Sequence, residues 1–218
     1  MQIFLDLNNG GIAFLQTGQA EKALECFHRA FVSLRNETSK NQSTGLRAVQ
    51  ANDLAAGAVP VPVSDPSAGA HLYCSRAFGL VIPPSRQRLT EVDTEFCGSV
   101  INYNIAITLQ LYSVHHGSSQ VFSLYKKCLK ALESLSYKND GFVDVSRMTV
   151  ACLFNMSNLL LDQDELGTAA SFVSLAQQLL LTNEDQPCLF DDETMQAFSW
   201  AAYFVPYCAS LGRSAPAA

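Results

Sequence analysis

Residues 8–31, NNGGIAFLQTGQAEKALECFHRAF, decide how this chain is read. Leu5, Ile12, Phe14 and Leu15 precede Gly18, and Ala23, Leu24, Phe27, Ala30, Phe31 and Leu34 follow it. Apolar residues three and four apart predict two amphipathic helices. The glycine between them suits a tight interhelical turn, because it enters the left-handed backbone region without strain. The predicted unit is a helix hairpin over residues 1–36.

Further along the chain, helical periodicity returns at 95–112 and 119–135, with His115-His116-Gly117-Ser118-Ser119 as the break between them. A third pair is predicted at 143–161 and 165–181, so that residues 95–182 hold two more hairpins. A closing helix is expected within 190–208: acids open it, and Met195, Phe198, Ala201, Phe204 and Val205 form its apolar stripe. Residues 209–218 are expected to be a flexible tail. The insertion at 37–94 differs in character, rich in Gly, Ser and Ala and broken by Pro60, Pro62, Pro66, Pro83 and Pro84. Within it 37–70 has the composition of a flexible linker, and 71–81 (HLYCSRAFGLV) predicts a short strand or an arm packed on the helices.

The first hairpin resembles a tetratricopeptide repeat in Gly11, Phe14, Gly18, Ala23, Phe27 and Ala30, with Gly10 where that family usually has Leu. Small residues let two helices approach closely, and aromatics fill the gaps between successive hairpins. The second hairpin aligns Asn102, Ala106 and Tyr125 with Asn9, Ala13 and Phe27. The third aligns Asn155, Ser157, Ala169, Val173 and Ala176 with Asn9, Gly11, Ala23, Phe27 and Ala30. The overall layout is also similar to that of repeat proteins found in large numbers in diatoms, a resemblance that implies no activity. The fold expected is all-α: a right-handed superhelix of antiparallel hairpins, a TPR-like α-solenoid with an irregular insertion and a capping helix.

Net charge is −6 with 14 scattered basic residues, which argues against nucleic acid. Charged residues are only 16% of the chain, which fits either a surface partly covered by a partner or a second copy or a merely neutral, Ala- and Ser-rich one. No Lys or Arg occurs between Arg147 and Arg213, and that stretch carries eight acids, from Asp162 to Glu193, which read first as solvated loops and helix N-termini and alternatively as a surface that attracts a basic segment. Seven widely spaced cysteines without a CxxC argue against a disulfide framework. No signal peptide or membrane-spanning run is read, so a reducing compartment, cytosol or nucleus, is expected. Three N-x-S/T matches, at Asn36, Asn41 and Asn155, are then chance.

The resemblance implies a concave groove lined by the first helix of each hairpin. Its candidate residues are Asn8, Asn9, Ile12 and Gln16, then Ile101, Asn102, Ile105 and Leu109, then Phe154, Asn155, Asn158 and Asp162. Asn9, Asn102 and Asn155 share one alignment position, and carboxamides there can bind an extended peptide backbone because they both donate and accept. Chaperone-type relatives hold a carboxylate with basic residues at positions that match Asn8, Gly98 and Asn155, so an acidic tail is not the expected ligand. His28, His71, His115 and His116 form no metal-ligand spacing, and no nucleotide, zinc-protease or nucleophile-elbow motif occurs. The expected function is a protein-interaction adaptor without cofactor or metal. The alternatives are a self-assembling structural unit and an enzyme with no recognisable motif.

Overall fold

The computed structural model describes residues 2–43, 54–63, 73–86, 88–112, 118–138, 143–182 and 190–213. It contains α1 (Gln2–Gln16), α2 (Ala20–Ser43), β1 (Gly57–Pro62), β2 (Arg76–Val81), α3 (Glu91–Tyr112), α4 (Ser118–Lys138), α5 (Val143–Leu161), α6 (Leu166–Thr182) and α7 (Asp192–Arg213). The fold is mostly helical with one two-stranded antiparallel sheet. His71, His115, His116, Cys188 and residues 214–218 lie outside the described residues.

Helix α1 buries Phe4, Leu5, Asn8, Gly11, Ile12 and Leu15, one face at spacings of three and four. Gly11 is there because the fully buried Phe27 ring of α2 lies on it: a Cβ would sit 2.6 Å from Phe27 Cε1. The turn to α2 is a Schellman closure, with Gln19 N–H donating to Phe14 O (2.9 Å), Gly18 N–H donating to Leu15 O (3.1 Å), and Gly18 at φ 73°. The turn from α5 to α6 repeats it: Glu165 N–H reaches Leu160 O (2.9 Å), Asp164 N–H reaches Leu161 O (3.1 Å), and Asp164 has φ 59°. Equating Asp164 with Gly18 matches Asn155 to Asn9 and Ala169 to Ala23. Ala23, Phe27, Ala30, Ala106, Tyr125, Ala169 and Ala176 are all fully buried, and Phe14 packs against the core with Lys22 over its ring.

The helices pack in chain order as α1–α2, α3–α4 and α5–α6 pairs, with α2 on α3, α4 on α5 and α6 on α7. Lighter contacts link α1, α3, α5 and α7 along one side, and the β hairpin lies there, with β2 against α1 and α3 and β1 against α5. Helix α3 is thus covered by α2, α4 and the hairpin, which is why its sequence is apolar on nearly every face. No helix among the described residues is long and apolar enough to cross a membrane.

The insertion differs from its sequence reading. Helix α2 runs to Ser43, past residue 36, because no Gly or Pro interrupts it, and the Thr38 and Ser39 hydroxyls satisfy themselves within it by donating back to the Leu34 and Arg35 carbonyls. Within the expected linker at 37–70, residues 57–62 form β1, paired from Gly57↔Val81 to Pro62↔Arg76. The strand expected at 71–81 is β2, confined to Arg76–Val81. Pro60 and Pro62 fit because β1 is an edge strand and they occupy the positions that point away from β2. Helix α3 starts at Glu91 rather than 95, and α7 continues to Arg213 through the segment expected to be a tail.

Candidate functional site

The site is the side of the helices on which the hairpin lies, and it is built from carboxamides. Asn155 on α5 donates from Nδ2 to Cys74 O (3.1 Å) and accepts from Cys74 N–H at Oδ1 (3.0 Å). Asn104 on α3 does the same to Phe78, donating to its carbonyl (2.9 Å) and accepting from its N–H (2.8 Å). Asn9 on α1 does it to Leu80, at 3.1 Å and 3.0 Å. Asn8 donates to Phe78 O (3.2 Å) and accepts from Asn104 (2.9 Å), which joins α1 to α3 beneath the strand. Three carboxamides thus each hold both backbone groups of one residue in an extended segment. In an antiparallel pair alternate residues face away from the partner strand. Phe78 and Leu80 do so, and the Asn side chains supply what a third strand would.

The outer edge of β1 is closed as well. Ala58 N–H donates to Asp144 Oδ2 (3.0 Å), and Arg147, held by Asp144 at 2.8 Å, donates to Ala58 O. Pro60 and Pro62 have no N–H, and Gln16 donates to Pro62 O (3.1 Å). Further along the arm, Arg76 is buried, donates to Thr194 Oγ1 (3.2 Å) and pairs with Asp191 and Glu193 at the start of α7.

The carboxylate of Asp93 anchors the hairpin's entry. Thr90 and Asp93 cap α3 reciprocally: Asp93 N–H donates to Thr90 Oγ1 and Thr90 N–H donates to Asp93 Oδ2, both at 3.0 Å. Asp93 also accepts from Ala55 N–H, Ala56 N–H and the Arg86 guanidinium. Burial pushes its carboxyl up, but the donors from Thr90, Ala55 and Ala56 outweigh that, and it titrates below its ordinary 3.8. A folded value below the unfolded one means the stabilisation is complete above the unfolded value and is lost as pH falls towards the folded one. Asp93→Asn is expected to cost about 2 kcal/mol at neutral pH, the scale of hydrogen bonds to a charged group. That deficit should shrink below about pH 4. Urea midpoints of the two forms at pH 7 and pH 3 measure it, and a constant gap would contradict the assignment.

Of the groove residues expected from the sequence, Asn8, Asn9, Gln16 and Asn155 meet the hairpin. Asn102 does not: it lines a pocket of about 220 Å³ between α2, α3 and α4, with Phe31, Glu95 and Lys127. Asn104 holds the strand instead. Two positions along a helix are about 200° apart, so the two side chains leave opposite faces. Ile12, Ile101, Ile105 and Phe154 are core residues, and Phe154 stacks on Phe198 at 4.0 Å. Leu109 is half-buried, Asn158 accepts from Gln110 (3.2 Å), and Asp162 is exposed beyond α5. The sequence reading missed Asn104, Asp93, Asp144, Arg147, Arg76 and Thr194. Two signals were available: an Asn inside the apolar run SVINYNIAI needs a buried partner, and Thr90-Glu91-Val92-Asp93 has capping-box spacing.

Behind the arm, the Asn155 amide also reaches the Tyr103 and Tyr125 hydroxyls (3.1 and 3.4 Å), and Tyr125 donates to Gln110 (2.9 Å). Both hydroxyls are fully buried, and desolvation lifts them well above 10.0, so they stay protonated donors. Burial pushes the Cys74 thiol up to about 12 and the Cys97 and Cys152 thiols up as well, opposite to the shift that activates a nucleophilic cysteine. Among the described residues no three His, Cys, Asp or Glu side chains are placed to hold a metal ion. Compared with known proteins, the chain matches no family model, no curated protein and no solved structure.

Proposed function

We propose that this protein is an interaction adaptor of the tetratricopeptide-like class that grips an extended polypeptide segment by its backbone, and that its own β2 arm is the resident occupant of that grip. The observation that carries this reading is the triple carboxamide clamp on Cys74, Phe78 and Leu80. Each clamp reads only N–H and C=O, so an unrelated sequence in the same conformation satisfies it. Specificity falls to the side chains, and Phe78 and Leu80 are almost wholly buried.

Energetics decide how a partner would enter. Lifting out Val63, Tyr73, Phe78 and Leu80 exposes apolar surface worth on the order of 10 kcal/mol. That rivals the stability of a whole domain, so the groove does not idle open. A partner strand must replace the resident, presenting large apolar side chains two apart and no charge between them. The full chain carrying Leu80→Ala weakens the resident and leaves every clamp in place. Added fluorescent peptide of residues 73–82 (YCSRAFGLVI) is expected to bind this variant by anisotropy, and to bind much less well when the peptide carries Phe78→Ala. A variant that keeps wild-type helical circular dichroism and ignores the peptide refutes the proposal.

A further inference from the structure

Helix α7 is apolar on two sides. One side, Phe198, Ala201, Val205 and Ala209, is buried. The other carries Trp200, Tyr203, Tyr207 and Leu211, exposed by 53%, 75%, 51% and 55%. These four recur at spacings of three, four and four, a stripe about 16 Å long that passes Pro206, the proline inside α7. The rings are ordered against one another: Trp200 stacks on Phe204 at 4.5 Å and 16°, and Tyr203 lies parallel to Tyr207 at 6.3 Å and 5°. Tyr73 from the arm packs on Trp200 at 6.0 Å. Stacked aromatics lose little freedom on burial, and Trp and Tyr dominate interface hot spots.

We propose that this stripe is a homodimer interface in which α7 of one copy pairs antiparallel with α7 of a second. The stripe fits itself under a two-fold axis. A large residue stands at each end and a tyrosine pair in the middle, so Trp200 meets the partner copy's Leu211, and Tyr203 meets the partner copy's Tyr207. Like residues at either end of one helix therefore find complementary ones, as an isologous contact requires. The charge pattern agrees. The stripe carries no charge, and the acids Asp192 and Glu193 sit at one end of α7. Antiparallel pairing sends the two acidic ends to opposite sides of the dimer, whereas parallel pairing would stack them. The area is sufficient. The four side chains leave on the order of 400–500 Å² open, so two copies and their flanks bury on the order of 1,000 Å², the lower bound for a specific interface.

Buried area does not by itself fix affinity, so the test spans a wide range of concentration. Sedimentation velocity on the full chain, from about 1 to 300 μM, should show monomer passing to dimer. Trp200 is the only tryptophan, so its emission should move to the blue over the same range. Tyr203→Glu should weaken association at least 100-fold and abolish the blue shift, while Val32→Glu on the exposed face of α2 leaves both unchanged. Mixing Tyr203→Glu chains with Tyr207→Lys chains should restore association, because the two-fold axis brings those positions together. A monomer across the whole range overturns the proposal, as does a dimer indifferent to Tyr203→Glu or a mixture that stays monomeric.

Discussion

Asn155→Ala is expected to cost about 3–5 kcal/mol, the sum of two or three buried polar groups left unpaired at roughly 1–3 kcal/mol each. The groups are the N–H and C=O of Cys74 and the hydroxyl of Tyr103, all walled off from water. In a chain of this length that loss lowers the melting temperature by about 10–15 °C. The contrast with Asn9→Ala is the sharper measurement. Asn9 holds Leu80 with the same pair of bonds, but its side chain is exposed and water can replace it. Its removal should cost under about 1 kcal/mol. Equal losses in the two variants would show that burial does not set the strength of these clamps. Tyr125 gives a second readout, because its hydroxyl lies between Asn155 and Gln110.

The helices that were easiest to read were those with one wet face. In α1 and α2 the stripe through Phe4, Ile12, Leu15, Ala23, Phe27 and Leu34 has a polar counterpart, so periodicity fixes which side goes in. Gly18 marks the turn for a steric reason. Asp164 carries the same backbone conformation without a glycine, so only the matching positions around it, Asn155 and Ala169, disclosed that the turns are alike. Helix α3 defeated the phase argument. It is covered on nearly every face, so the alternation that would separate Asn102 from Asn104 is weak, and an alignment offset of two residues sent the clamp to the wrong face. Of the hairpin, the strand at 71–81 was legible, but its partner β1 was not, for a different reason. Its strands are stabilised by side chains from α1, α3 and α5, far away in sequence, and the prolines of β1 indicate a linker until one sees that they face an edge. Local propensity carries no information about such partners. Even so, Asn8, Asn9, Gln16 and Asn155, the side chains that meet the hairpin, stood out in the sequence, because carboxamides on the inner helices are conspicuous. That they bond to the chain's own hairpin was not.

Phe78→Ala, the other large effect, tests whether the resident strand is a separable unit. The ring is fully buried and meets Tyr103 edge-on at 5.1 Å, so its truncation should cost about 3–5 kcal/mol in a urea titration. Amide exchange shows where that loss is felt. If the hairpin can leave while the helices stay, the amides of Phe78 and Leu80 open at a lower free energy than those of Ile107 in α3 or Leu153 in α5. Phe78→Ala should lower both openings by the same amount, since the ring is released in each, and the gap between them should persist. The form with the strand out then stays the state nearest in energy to the native one, and is more populated. Strand exchange requires that gap. If Phe78, Leu80, Ile107 and Leu153 share one opening free energy in both forms, hairpin and helices unfold as a single body. The carboxamide clamp would then serve only to close the core, and a partner would have to bind elsewhere on the molecule.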